Sequence, residues 1–473
     1  MTAEAIKPPL LTLDQVEALS PEEAHDLYGR HYSPGMAKMM AMLGFHRIRP
    51  VRSEGMRLHL ADGTSVLDFT GGVGVLNHGH NHPRILKARA DFAARRGMEV
   101  WKFFPSPYQS ALCHNLAQIF PADLDVVFLC NSGAEANEGA MKMVEKVAGP
   151  RRHKIAYTDI SFHGKSHATL SVSGSEAHQR DHFKLLPGCI QVPHGDAATL
   201  EKAFRDNRNA DGSSQIGAFI VEAIRSEGCI TPPEGYFAKV RELCDRYKVA
   251  LIADEVYTGF GRTGKMFAFM HYGLVPDLVT FSKSFGGGKA TLAGYVARRG
   301  LFEDAYGSVK HATLHSTTFS GFSEEVIAAI EAIHVLYDER LVENAAEQGA
   351  YLLERLNWLK GRHPGIVTDV RGIGCLACVR LENLATRLLA AVPGLGLPTE
   401  VVSKITTATV IAEMMARHRV LTFSPPHDVN LLLLTPSLIV GRADIDAYVA
   451  ALDDVLSLNF AEMVLKFARR LAA

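Results

Sequence analysis

Long apolar runs are missing from this sequence. No stretch approaches the ~18 uninterrupted apolar residues of a membrane-spanning helix. The opening residues, MTAEAIKPPLLTLDQ, lack the charged-then-apolar pattern of a secretion signal. Both point to a cytoplasmic protein. An excess of charge of one sign is also missing. Lys and Arg number 50 against 51 Asp and Glu, for a formal net charge of −1. That balance gives no electrostatic case for nucleic acid or for an anionic membrane. Cysteine is sparse and odd in number, with 7 scattered residues, which argues against a disulfide framework and for a reducing compartment. Cys375 and Cys378 do form a C-x-x-C, but no second Cys or His pair lies nearby. No zinc or other metal site is therefore expected. Internal repeats and low-complexity segments are absent.

What is present is an ordinary globular composition, 47% hydrophobic and 21% charged over 473 residues. This length accommodates two or more domains with substantial cores. Residues 1–50 read as an N-terminal arm, with Pro8-Pro9, a cap-like Ser20-Pro21 and a methionine-rich stretch from Met36 to Leu43 suited to packing against a neighbour. Arg57 to Phe69 alternates around a turn at Ala61-Asp-Gly63 and predicts a hairpin. His78, His80 and His82 follow in a loop broken by Gly79 and Pro83, a poor frame for a metal. From residue 126 onward, apolar strand candidates alternate with helices: 126–130, 155–158, 216–222, 249–254, 278–281 and 293–297. That alternation predicts an α/β fold around a mixed, mainly parallel sheet covered on both faces. Helices at 324–336 and 344–359 lead to a smaller α+β part with strands within 366–381 and 430–440. The expected division is an arm at 1–50, a small domain from 51–85 and 340–473, and a large domain at 86–339.

Chemistry concentrates in three places. Asp254 ends the apolar run Val249-Ala-Leu-Ile-Ala253, and Lys283 follows Leu278-Val-Thr-Phe281 and opens onto three glycines. An acid and an amine at the mouths of two buried strands suggest a cofactor site. The pair suits pyridoxal phosphate, with Lys283 on the aldehyde and Asp254 facing the pyridine nitrogen. Asn131-Ser-Gly-Ala-Glu-Ala-Asn137 follows a strand and opens a helix, whose N-terminal N–H groups suit a phosphate, with Ser132 adding a hydroxyl and Gly133 allowing close approach. Ser161-Phe-His-Gly164 follows the next strand. Phe162 would stack on a flat ring, with His163 either a second contact or a satisfied loop histidine. Trp101, Phe103 and Phe104 form either a core cluster or one wall of a substrate pocket.

Taken together, these motifs resemble the class III aminotransferases of pyridoxal phosphate fold type I. Asp254-Glu-Val256, Thr258-Gly-Phe-Gly-Arg-Thr-Gly264, Ser282-Lys283 and Thr317-Thr-Phe319 stand in the family's order, and the likeness spans about residues 50–460. It is nearest the putrescine and ornithine branch, through Phe162-His-Gly-Lys-Ser166 and Gly261-Arg-Thr-Gly-Lys-Met266. The resemblance implies that Ser132, Gly133 and Ala134 hold the phosphate. It implies that Phe162 and Val256 cover the two ring faces, that Asp254 pairs the pyridine nitrogen, and that Lys283 is the Schiff-base lysine. Glu222 would brace the Asp254 side. Thr318 would reach the cofactor phosphate of the neighbouring subunit, making a homodimer with shared active sites the catalytic unit.

Departures from the family bear on the substrate. Glu222-Ala-Ile-Arg-Ser-Glu-Gly-Cys229 places Arg225 where a glutamine is usual. Tyr257 replaces another glutamine, putting a hydrogen bond to the cofactor hydroxyl in question. Leu433 stands about where relatives carry an arginine suited to a substrate carboxylate. With Trp101, Phe103 and Phe104, that loss points to an amine or aldehyde with an apolar body, unless Arg225 supplies the carboxylate contact. The resulting expectation is ping-pong transamination between an amine or amino-acid donor and a keto acid or aldehyde acceptor. The alternatives are a decarboxylase or aminomutase on the same cofactor, or a non-catalytic binding protein of the same fold.

Overall fold

The computed structural model describes residues 10–384, 399–425, 427–459, 461–465 and 467. At its centre is a seven-stranded sheet in the order Leu124–Cys130, Ala293–Arg298, Leu278–Phe281, Ala250–Asp254, Ile216–Val221, Lys154–Thr158, Cys189–Val192. Only Ala293–Arg298 runs against the others, pairing antiparallel with both neighbours. The inner strands are buried along their whole length, as Ile216–Val221 and Leu278–Phe281 show. This is why they read as continuous apolar runs rather than as alternations.

Helices cover both faces. Gly133–Ala148 starts at Ser132, whose hydroxyl accepts from the Glu135 N–H, and it buries Ala136, Ala140, Met143 and Val144. Gly139 lets it lie close to the sheet, since a Cβ there would come 2.7 Å from the Tyr295 ring. Tyr236–Tyr247 is another of these helices, and Ser323–Asp338 matches its predicted helix to within about two residues at each end. Leu341–Arg362 extends its prediction by about a turn.

Two small sheets draw distant parts of the chain together. The hairpin Arg57–Leu60 and Ser65–Asp68 is flanked by Pro50–Glu54 and, in parallel, by Val420–Leu421. Val367–Ile373, Leu376–Leu381 and Leu431–Leu434 form the other. Leu433 is fully in the core and pairs with Cys378. Arg262 joins these regions to the large sheet. It is completely buried and donates to the Cys375 and Pro436 carbonyls and to Asn77 Oδ1. The three loop histidines take separate partners: His78 the Ala332 carbonyl, His80 Asp68, and His82 Glu339. Cys375 and Cys378 are buried free thiols.

Candidate active site

Asp254 and Lys283 meet because their strands are parallel neighbours, with Asp254 in register with Thr280. Both line a cleft of about 190 Å³ at the carboxyl ends of the strands, with Gly133, Ala134, Phe162, His163, Glu222 and Val256. A ligand crevice outside the strand ends is what this topology offers.

Asp254 is 3% exposed. Burying a carboxylate is costly unless its oxygens are paired, and here they are. Oδ2 accepts from Asn137 Nδ2 at 2.8 Å and lies 2.7 Å from His163 Nδ1, and Oδ1 accepts from the Val256 N–H at 2.9 Å. Asn137 is oriented in turn, donating to the His163 carbonyl and accepting from Thr280 Oγ1 at 2.6 Å. His163 is thus a positioning partner of Asp254 rather than a spare loop histidine. Asn137 belongs to the site as well. It lies one helical turn after Gly133, on the face turned to the sheet, which the spacing of its motif already contained.

Lys283 sits in left-handed backbone, φ +47°. Its Nζ lies 3.9 Å from the centroid of the Tyr257 ring and donates to the Val73 carbonyl at 3.4 Å. Burial lowers its pKa to about 8, against the attraction of Glu227, Asp254 and Glu222.

Gly133 and Ala134 border the cleft at the helix N-terminus. A Cβ on Gly133 would come 2.8 Å from Val256 Cγ1, so only glycine lets the helix start so close to that side chain. The Ser132 hydroxyl caps its own helix and also donates to Glu135 Oε2 at 3.1 Å.

Glu222 holds the loop beside Asp254 rather than Asp254 itself. It lines the cleft, but its Oε2 accepts from the Phe162 N–H at 3.1 Å and its carboxylate pairs with Arg225. Among the described residues, no hydrogen bond joins it to Asp254; Asn137 and His163 hold that carboxylate instead. The reason is the turn after Val221, where Arg225 bridges to Ile230 and folds its guanidinium back over Glu222.

Arg225 is 2% exposed. One nitrogen meets Glu222 at 3.1 Å, and the other meets Glu227 at 2.9 Å and Ser175 Oγ at 3.3 Å. Burial raises the pKa of Glu227. His427 completes this cluster, 2.6 Å from Glu176 and 3.4 Å from Glu227, with its ring centroid 6.1 Å from that of Phe162. Sequence reasoning missed Glu176, Glu227 and His427, because nothing local marks residues brought together from three separate loops.

Trp101, Phe103 and Thr318 are not among the residues lining the Lys283 cleft. Trp101 donates to the Met98 carbonyl and to Ser323 Oγ, beside Thr318 in a separate small hollow. Phe103 is 93% exposed.

Residues 42–456 match the family model of the class-III aminotransferases. The chain belongs to that family, whose members use pyridoxal phosphate. It is 30% identical over 476 residues to the aminotransferase PigE of Serratia sp. (strain ATCC 39006), which covers 93% of this chain but 54% of PigE, so the chain spans about half the length of that relative. It is 35% identical over 323 residues to the putrescine aminotransferase of Pectobacterium atrosepticum, 68% of each. An (S)-enantioselective omega-transaminase from Thermomicrobium roseum superposes with a TM-score of 0.81 at 28% identity, over 93% of this chain and 99% of that one. A transaminase from the marine bacterium Virgibacillus gives 0.79 at 27%, over 95% and 99%.

The residues present fit the family's cofactor. The cleft offers a buried, fully paired carboxylate, an amine, and a helix N-terminus stripped of side chain at Gly133.

Proposed function

We propose that this chain is a ping-pong aminotransferase that carries pyridoxal phosphate on Lys283 and moves an amino group from an amine or amino-acid donor to a keto acid or aldehyde acceptor. One observation carries the reading: Asp254 and Lys283 end adjacent parallel strands in one cleft, opposite a helix N-terminus. Bound there, the cofactor supplies an electron sink for the pair left when a substrate α-proton departs.

The protein's residues then have distinct tasks. Gly133 and Ala134 N–H groups, with Ser132 Oγ, receive the phosphate. Phe162 and Val256 cover the ring faces. Asp254, held by Asn137 and His163, keeps a proton on the pyridine nitrogen. Lys283 Nζ would hold and move the proton at the substrate carbon. An amine lowered to about 8 is unprotonated often enough near neutral pH to serve as that base.

The substrate reading follows from what surrounds the cleft. Leu433 lies in the core and offers no guanidinium. Arg225 meets a carboxylate substrate only by exchanging Glu227 or Glu222 for it. Relatives include a putrescine aminotransferase and an omega-transaminase, and an omega-type amine with an apolar body suits this chain. Phe103, Phe104 and Phe319 are 93%, 64% and 57% exposed on the segments that border Thr318. Such a surface favours a homodimer in which Trp101, Phe103 and Thr318 complete the partner's site. Seven free cysteines fit a reducing cytoplasm. A panel of amine donors with pyruvate and 2-oxoglutarate, read through the cofactor spectrum, tests the reading. Keto product in stoichiometric amounts supports transamination, whereas carbon dioxide release or an isomerised amine defeats it.

A further inference from the structure

Tyr257 stands where the nearest branch of the family has glutamine, and the structure gives the substitution a task. The Lys283 amine has two close neighbours. One is the face of the Tyr257 ring, with the centroid 3.9 Å from Nζ; the other is the Val73 carbonyl at 3.4 Å. No carboxylate is within ion-pair distance of Nζ among the described residues. The charged groups that face it from farther away are Glu227, Asp254 and Glu222, opposed by Arg225.

The ring is held firmly in this place. Tyr257 is 8% exposed. The loop Gly71–Gly74 lies flush against it, and a Cβ on Gly74 would come 2.9 Å from Tyr257 Cε1. In the same loop, Val73 adopts φ +61° and ψ +47°. This is left-handed backbone that a β-branched residue avoids, and it turns the Val73 carbonyl toward Nζ. Backbone strain of this kind persists where the surroundings impose it. A desolvated ammonium over an aromatic face is a favourable pairing.

We propose that Tyr257 is a positioning residue that docks the free Lys283 amine on its ring face whenever it is not bonded to cofactor. The dock stabilises the ammonium without locking it into an ion pair, so the amine stays within reach of the cofactor aldehyde. This rests on the assignment of Lys283 made above.

The test titrates the free amine in the cofactor-free chain, following the rate of Lys283 amidination against pH by peptide mass spectrometry. Wild type should give a midpoint near 8. Tyr257→Leu and Tyr257→Gln both remove the ring, and each should lower the midpoint by about one unit, the tenfold change a desolvated cation–π contact supports. Tyr257→Phe keeps the face and should stay within a few tenths of wild type. Thermal melts select the folded ring-less variant if only one folds. A folded ring-less variant with the wild-type midpoint overturns the proposal, as does a Tyr257→Phe midpoint as low as that of the ring-less variants. Borohydride fixation of cofactor on wild-type Lys283 is read separately, so failure of the dock is distinguishable from failure of the cofactor assignment.

Discussion

At the residue scale, the site is a set of side chains whose charge states are set by their neighbours. Asp254 is the carboxylate that would face a ring nitrogen, and Asn137, His163 and the Val256 N–H fix its place. Asp254→Asn should therefore cut turnover by at least about 100-fold while leaving the fold intact. Steady-state kinetics beside a thermal melt would check this, and an unchanged kcat would contradict it. His163→Phe removes one contact of the same carboxylate, and a loss of roughly tenfold in kcat with little change in KM is expected. Lys283 carries a pH prediction. Only the neutral amine attacks an aldehyde, and burial lowers its pKa to about 8. Cofactor reconstitution should accelerate as pH rises through about 8 and then level off. Stopped-flow absorbance would follow it, and a flat profile would be inconsistent with that environment. Much of this was legible in the sequence, because Asp254 and Lys283 each close an apolar run and Ser132-Gly133 opens a helix. The Arg225–Glu227–His427 cluster was not legible, since its members lie on loops whose meeting depends on the finished fold.

At the scale of elements, the chain is tied together by buried polar groups at the joins. Arg262 reaches a loop before the large sheet, Asn77, and two backbone carbonyls near the C-terminal strands. Arg262→Met leaves those acceptors without a donor and should cost on the order of 3 kcal/mol, read as a lower urea midpoint. His78 is buried against the Ala332 carbonyl, and burial lowers its pKa to about 4. The unfolded value is about 6.5, so between these limits the unfolded chain binds more protons. Stability from this group is complete above about pH 6.5 and is lost as pH falls toward about 4, amounting to about 3 kcal/mol. His78→Gln should flatten that part of the curve in urea titrations at pH 7 and pH 5. The predicted strands and helices were legible here because the inner strands are wholly apolar and the helices bury one apolar face. Pro50–Glu54 and Cys189–Val192 were missed because they are edge strands with little buried surface. The helix Pro107–Ile119 was overlooked despite its Ser106 cap and Pro107 at the first position.

At the scale of the whole molecule, one chain does not bring every expected residue to the cleft. Thr318, Trp101 and Phe103 gather elsewhere, on a surface with exposed phenylalanines, and the sequence alone could not say which chain's cleft they serve. If they complete a partner's site, mixing inactive Lys283→Ala chains with Thr318→Arg chains should restore activity in heterodimers, where one of the two sites is intact. Activity no greater than that of the separate variants would refute sharing. All of this depends on Lys283 being the residue that holds the cofactor. Borohydride reduction of the cofactor-loaded protein, followed by peptide mass spectrometry, tests that most directly. The account predicts a phosphopyridoxyl group fixed on Lys283 and none in the Lys283→Ala variant. A label on any other lysine, or no label on a protein that binds the cofactor, would contradict it.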